Sequence, residues 1–488
     1  MKKGEFFVFI VEQPESETRD WKILDLDASA LAEMIAAKEI TSREATETFI
    51  DHIKNINPTL NFLVEERFKK ALEEADKADR QITENKSLGR LFGVAISMKE
   101  SFHVDEMQTT GGLLNRKGFI QETDAEVVRK LKAEGAIIIG KTNTPELCFC
   151  QETDNKLYGR TNNARDLTRT AGGSSGGEAV MISVGGAAAG LGSDIGGSIR
   201  FPSHFNGVIG FKSGNAQVSS SGSYPPESHE LQQRMLGIGP ITKSVRDAKL
   251  LYNIIAKGKA EEKSIDGFTI NVLPKTDYPL SSTTASIVDA VYTAINEQFT
   301  SERVIPPLFT ESALVWQEIM SIDGATGPAK EAFGNQPARP VRAYVSELIS
   351  GKAQVHRYLS WALIAANLFK PSEKRVKELE VYVTSGDETL DGYLNERILI
   401  FPVYHSVAPK HGMVYKEIFS IQKSYKKFMP YIAYANVWGL PSLTIPVGED
   451  EKGMPIAVQL ISKNGNEDAL FKLGEYIEKK FQSFVRVD

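Results

Sequence analysis

Residues 172–177 read Gly-Gly-Ser-Ser-Gly-Gly, and residues 192–200 read Gly-Ser-Asp-Ile-Gly-Gly-Ser-Ile-Arg. A Gly/Ala-rich apolar run joins these two serine-bearing loops. Glycine lets backbone N–H groups come close to a ligand and reaches turn conformations closed to other residues. One such loop is most simply a turn. Two of them, on either side of an apolar segment, point to a serine facing preformed backbone donors. The successive N–H groups of Ile195, Gly196, Gly197 and Ser198 can converge on one point, as an oxyanion hole requires.

Working outward, Gly93–Lys99 is a short apolar run with β-branched residues and reads as a strand ending in a lysine. Residues 124–134 have helical period, with Ala125, Val128 and Leu131 on one face, and Ala136–Ile139 reads as a buried strand. Strand, helix, strand predicts α/β organisation with parallel pairing. Glu178–Ala189 is apolar nearly all round and predicts a buried helix. Gly207–Phe211 predicts a core strand and Asp247–Lys257 a helix. Upstream, residues 28–80 predict helices, with a Thr41/Glu44 capping box, a break at Pro58 and a charged helix from about Glu66 to Glu84. The pattern loosens over 260–400, where helices are predicted at 284–299 and 311–322. It tightens again at Tyr434–Val447, at the strand Pro455–Ile461 and at the helix Asp468–Lys479. The expectation is one domain over 1–488, with a core at about 89–257, a variable insertion at about 260–400 that shapes a pocket, and a core resuming at about 401–488.

Composition sets limits. The 488 residues are 41% hydrophobic and 25% charged, which marks a globular chain. A formal net charge of −6 gives no overall pull toward nucleic acid or acidic membrane. The 2 cysteines, Cys148 and Cys150, cannot staple a fold and predict a reducing, cytoplasmic setting. The 7 histidines lack ligand spacing, so no metal and no cofactor are expected. Phe6–Val11 is closed by Glu5 and Glu12, too short for a signal peptide or for the about 20 residues of a membrane span. A packed N-terminal strand and no stable membrane anchor are expected.

Several nucleophiles compete. Gly172-x-Ser174-x-Gly176 fits the nucleophile-elbow pattern, but a polar loop (Asn162–Asp166) stands where that pattern needs a strand. Ser420-x-x-Lys423 fits a penicillin-recognising pattern without its partner motifs and reads as a solvated helix face. Lys99, Ser174 and Ser198 make a stronger set. An ordinary lysine is neutral in only roughly one molecule in 2,500 at pH 7. Apolar surroundings such as Val94–Met98 ease its deprotonation, and a serine between lysine and nucleophile can relay a proton.

At this point the sequence resembles the amidase signature family. The resemblance rests on Gly172–Gly177 with Asp194–Arg200 and on Lys99 upstream of them. It runs from the helical start at 28 to Gly453–Leu460 and is thinnest over 260–400. Within the family the chain is most similar to fatty acid amide hydrolase-type members. The supporting residues are Gly176-Gly177-Glu178, Ile195, Thr142-Asn143-x-Pro145-Glu146-Leu147-Cys148 and Val407–His411. The resemblance implies a single large mixed sheet of about ten or eleven strands sandwiched by helices. It implies that Ser198 is the nucleophile, Ser174 (after a cis peptide bond) the bridging serine and Lys99 the base. Ile195, Gly196, Gly197 and Ser198 would supply oxyanion N–H groups. Ser175 and Asp194 would support the loops, Arg200 would brace the one after the nucleophile, and Cys148 and Phe149 would line the pocket. Two departures are Ala171, where the family has proline, and Phe211–Asn215, which lacks the usual Lys-Pro-Thr.

The implied activity is hydrolysis of a carboxylic amide, fatty acyl or aryl, through an acyl-enzyme. A small-molecule amide is the expected partner, and a homodimer stays open. The rivals are the glutaminase component of tRNA-dependent amidotransferase, a non-catalytic binding module and an esterase.

Overall fold

Runs of four to eight apolar or small residues set the frame, because strands buried on both faces need no polar alternation. The computed structural model describes residues 22–83, 89–227, 229–258, 261–418 and 425–487. The expected strand at Phe6–Val11 and the Ser420–Lys423 pattern lie outside the described residues. Eleven strands form one sheet: β1 (Leu63–Glu66), β2 (Ala95–Lys99), β3 (Ile137–Thr142), β4 (Ala189–Asp194), β5 (Ile209–Lys212), β6 (Gly237–Thr242), β7 (Thr269–Val272), β8 (Ser301–Glu302), β9 (Arg397–Pro402), β10 (Ser442–Glu449) and β11 (Pro455–Ile461). Their order is β1-β3-β2-β4-β6-β5-β10-β11-β9-β7-β8. β3, β2 and β4 are mutually parallel, as are β9, β7 and β8, and the remaining pairs are antiparallel. The sheet is therefore mixed, as the resemblance implied. Every residue of β2, β3 and β4 is buried, so both faces of the sheet are covered there.

Two predicted elements differ. The buried helix expected over Glu178–Ala189 spans only Gly176–Ser183. Gly185 stops it with φ +76°, and Ala189 already opens β4. The helix Ser42–Leu60 does not break at Pro58 but passes through it and ends at Asn61, which is left-handed. The helix continues two residues past Pro58, and beyond its end Asn57 Oδ1 accepts from the N–H groups of Phe62 and Leu63 at 2.9 Å each. Thr41 caps that helix at its start, accepting from Glu44 N–H at 2.9 Å, as the capping box predicts.

The looser stretch 260–400 is not merely an insertion. It supplies β7 and β8 to one edge of the sheet. Strands of 4 and 2 residues leave too short a pattern to be read from sequence. Among the described residues no helix is long and apolar enough to cross a membrane.

The last helix, Glu467–Phe481, seals the sheet beside β10. Its Phe471 is fully buried, with ring centroids 4.8 Å from Phe211 and 6.0 Å from Tyr252. Removing a buried phenylalanine forfeits its transfer energy and leaves a cavity. Phe471→Ala should therefore lower the unfolding free energy by about 3–5 kcal/mol. Urea melts followed by circular dichroism measure this, and a loss below about 1 kcal/mol would contradict the packing described.

Candidate active site

β2 and β4 are parallel neighbours, with Met98 opposite Leu191, so Lys99 and Asp194 end them at the same side of the sheet. Ligand sites in such sheets form outside the carboxyl ends of the strands. The 172–175 loop reaches the same place because the helix Gly176–Ser183 starts there.

Lys99 is fully buried. Its Nζ donates to Ser174 Oγ at 2.6 Å and to Ser193 Oγ at 2.9 Å. Burial pushes its pKa below the ordinary lysine range, against the opposing pull of Cys148, Asp194 and Glu178. Glu178, also buried, accepts from Ser97 Oγ and from Thr142 Oγ1, the latter at 2.6 Å. Burial raises its carboxyl to about 7. The Gly173–Ser174 peptide bond is cis. Ser174 carbonyl accepts from Thr144 Oγ1 at 2.9 Å, and Ser175 N–H donates to Ser198 carbonyl at 3.1 Å, which ties the two serine loops together.

The second loop is wrapped around the Asp194 carboxylate. It accepts from Gly197 N–H at 2.8 Å, from Ile199 N–H at 3.1 Å, from Arg200 Nε and Nη2 at 3.0 Å each, and from Asn436 Nδ2 at 3.0 Å. Burial alone would raise this carboxyl, but the Arg200 guanidinium holds it well below the usual carboxylate range. Arg200 Nη1 goes on to Ile432 carbonyl and Gln459 Oε1, at 2.9 Å each. The glycines of the loop are required here. Gly197 has φ +94°, and a Cβ on Gly196 would lie 2.5 Å from the Trp316 ring.

The four N–H groups expected as oxyanion donors differ in their surroundings. Gly197 N–H is engaged by Asp194, whereas among the described residues nothing accepts from the N–H groups of Ile195, Gly196 and Ser198. The neighbouring carbonyls are also fixed. Trp316 Nε1 donates to Ile195 carbonyl at 2.8 Å, and Gln151 Nε2 donates to Gly196 carbonyl at 3.2 Å. Ser198 is 5% exposed, and among the described residues no hydrogen bond joins its Oγ to Ser174.

One cavity opens on Ser174, Ser193 and Ser198 together. Cys148 and Phe149 line it, where the resemblance put them, and most of its wall is apolar, including Leu147, Ile195, Leu236, Trp316, Met320 and Phe369. Cys148 Sγ lies 3.3 Å from Thr144 Oγ1. Sequence reasoning missed Ser193, Gln151 and Trp316. Strand alternation along β4 could have flagged Ser193 once the pairing with β2 was known. No local signal marks Gln151 or Trp316.

Comparison with known proteins bears on family and fold. The Amidase family profile matches residues 44–308 and 350–471. Fatty-acid amide hydrolase 2-B of Danio rerio is 31% identical over 95% of this chain and 91% of its own length. A glutamyl-tRNA(Gln) amidotransferase chain of Clostridium acetobutylicum is 27% identical over 94% of this chain and 100% of its own length. A solved fatty acid amide hydrolase superposes with a TM-score of 0.81 at 21% identity, covering 97% of this chain and 88% of that one, which is a likeness of fold. The chain belongs to the amidase signature family, and it is an amide-hydrolysing enzyme.

Proposed function

We propose that this enzyme cleaves apolar carboxylic amides, fatty acyl or aryl, to acid and amine through an acyl-enzyme on Ser198. The observation that carries the reading is the 2.6 Å hydrogen bond from buried Lys99 Nζ to Ser174 Oγ, in the cavity that also holds Ser198. Neutral Lys99 accepts the Ser174 proton as Ser174 accepts the proton of Ser198. Ser198 Oγ then bonds to the amide carbonyl carbon, and the oxyanion meets the N–H groups of Ile195, Gly196 and Ser198. Each such donor is worth about 2.7–4 kcal/mol of barrier. Collapse breaks the C–N bond, and the amine departs with the proton returned from Lys99 through Ser174. Water, deprotonated by the same path, attacks the acyl-enzyme; the carboxylic acid leaves and Ser198 regains its proton. Ser175 and Asp194 hold the loops, and Arg200 anchors Asp194 to the surrounding helix and β11.

Apolar walls beside Ser198 support the substrate class, since a fatty or aryl group gains about 25 cal/mol per Å² of surface removed from water. The glutaminase reading is weaker. Among the described lining residues there is no lysine or arginine to meet the carboxylate of glutamine. Complete retention of Lys99, Ser174 and Ser198 speaks against a binding module without turnover. The same chemistry accepts esters.

A fluorophosphonate probe should label Ser198, and Ser198→Ala should lose both the label and at least about a thousandfold in kcat. Labelling that persists in that variant would overturn the assignment. The pH–rate profile offers a second test. Because Lys99 acts neutral and burial lowers its pKa, kcat/KM should rise with pH and level off below the ordinary lysine range. Lys99→Ala should lose at least about a hundredfold and this acid limb as well. An unchanged limb in the variant would remove Lys99 from the relay.

A further inference from the structure

Gln151 touches both serine loops. Its segment lies against the first, where Thr153 Oγ1 donates to Gly172 carbonyl at 2.8 Å and accepts from Gly176 N–H at 3.1 Å. A Cβ on Gly173 would sit 2.6 Å from the Cys150 carbonyl oxygen and 2.9 Å from the Gln151 carbonyl carbon, so the two backbones pack together immediately before Ser174. The side chain reaches the second loop, where Nε2 donates to Gly196 carbonyl at 3.2 Å. Gln151 is 7% exposed and lines the cavity with Ser174 and Ser198.

The other end of its carboxamide is unpaired. Among the described residues nothing donates to Gln151 Oε1. Of the described residues that line the cavity, no other has a buried side-chain nitrogen or oxygen without a partner. A buried acceptor left without a donor is costly. Turning the carboxamide over gives no relief, because Oε1 would then face the Gly196 carbonyl oxygen. The wall between Ser174 and Ser198 therefore carries an acceptor with a fixed place and a need for a donor. An amide and an ester differ in what they bring there. The nitrogen of a primary or secondary amide carries a hydrogen, and the ester oxygen does not.

We infer that Gln151 selects amides over esters by accepting the N–H of the scissile amide at Oε1. This rests on the hydrolase reading above and narrows its substrates to primary and secondary amides. Oε1 lies beneath the cavity surface, and a tilt of the carboxamide about its Nε2 contact presents it to the substrate. As the amide nitrogen takes up the relay proton it becomes cationic. Its hydrogen bond to Oε1 is therefore stronger in the step that breaks the C–N bond than in the bound substrate. An ester or a tertiary amide leaves the acceptor unpaired and is disfavoured for that reason.

The test compares three octanoyl compounds of similar shape: the secondary p-nitroanilide, its N-methyl derivative and the p-nitrophenyl ester. Their kcat/KM values are measured for the wild type and for Gln151→Met, which keeps the length of the side chain without the carboxamide. The secondary anilide should lose at least about tenfold more than the N-methyl anilide and the ester. Damage to the Gly196 loop would slow both anilides alike, so equal losses in the two anilides, or no loss, overturn the assignment. Gln151→Glu keeps an acceptor oxygen and should hold the preference for the secondary over the N-methyl anilide to within about threefold of the wild type. Collapse of that preference also overturns the assignment, and this variant decides the matter if Gln151→Met does not fold. Fluorophosphonate labelling needs no N–H, so the two readings fail separately. A chain labelled at Ser198 with equal losses keeps the hydrolase and loses the role of Gln151. Selective loss without a label on Ser198 keeps that role and removes the nucleophile.

Discussion

The site depends on one buried ion pair, Asp194 with Arg200. Neither residue has solvent contact, and Nη2 lies 3.0 Å from Oδ1. Burying two charges is favourable only when their remaining lone pairs and protons are satisfied. Here three backbone N–H groups, the Nε–Nη2 edge of the guanidinium and Asn436 converge on the carboxylate. Arg200 also donates to the helix Tyr425–Val437 and to β11. The loop from Ile195 to Ser198 is thereby stretched between the end of β4 and elements more than two hundred residues later in the chain. Breaking this pair by removing one partner would strand the other charge and release the loop that carries the N–H groups of Ile195 to Ser198.

The same enclosure decides the state of Lys99. Cys148 and two carboxylates, Asp194 and Glu178, favour its charged form, and desolvation opposes them with the larger effect. Each carboxylate is occupied elsewhere, Asp194 with Arg200 and Glu178 with Ser97 and Thr142. Lys99 therefore directs its hydrogen bonds to two neutral hydroxyls, those of Ser174 and Ser193. Neutral partners allow a lysine to exchange a proton without breaking an ion pair, which a relay needs.

Much of this could be read in the sequence because the chemistry is local. Glycine loops with serines, a lysine closing a β-branched run and uninterrupted apolar strands such as Ile137–Ile139 show within a few residues, and they led to the site and to the central part of the sheet. Less legible were features created by distant pairing. β7 and β8 are too short to carry a pattern, and their strand character comes from β9 beside them. Trp316 and Gln151 hold the 195–198 loop through carbonyls that no sequence pattern identifies. In the sequence the four N–H groups from Ile195 to Ser198 look equivalent. What separates them is the Asp194 carboxylate turning back on its own loop. The overlong helix at 178–189 has a similar cause, since small apolar residues serve a buried helix and a buried strand equally well, and Gly185 divides them.

The central claim is that acyl transfer passes through Ser198, with Ser174 as relay and not as nucleophile. Mass mapping of the trapped intermediate tests this most directly. The enzyme is mixed with p-nitrophenyl octanoate, quenched in acid within the first turnover, digested and sequenced by fragmentation. The account predicts an octanoyl group on Ser198 and none on Ser174. An octanoyl group on Ser174, or product formation with no acylated serine, would contradict it.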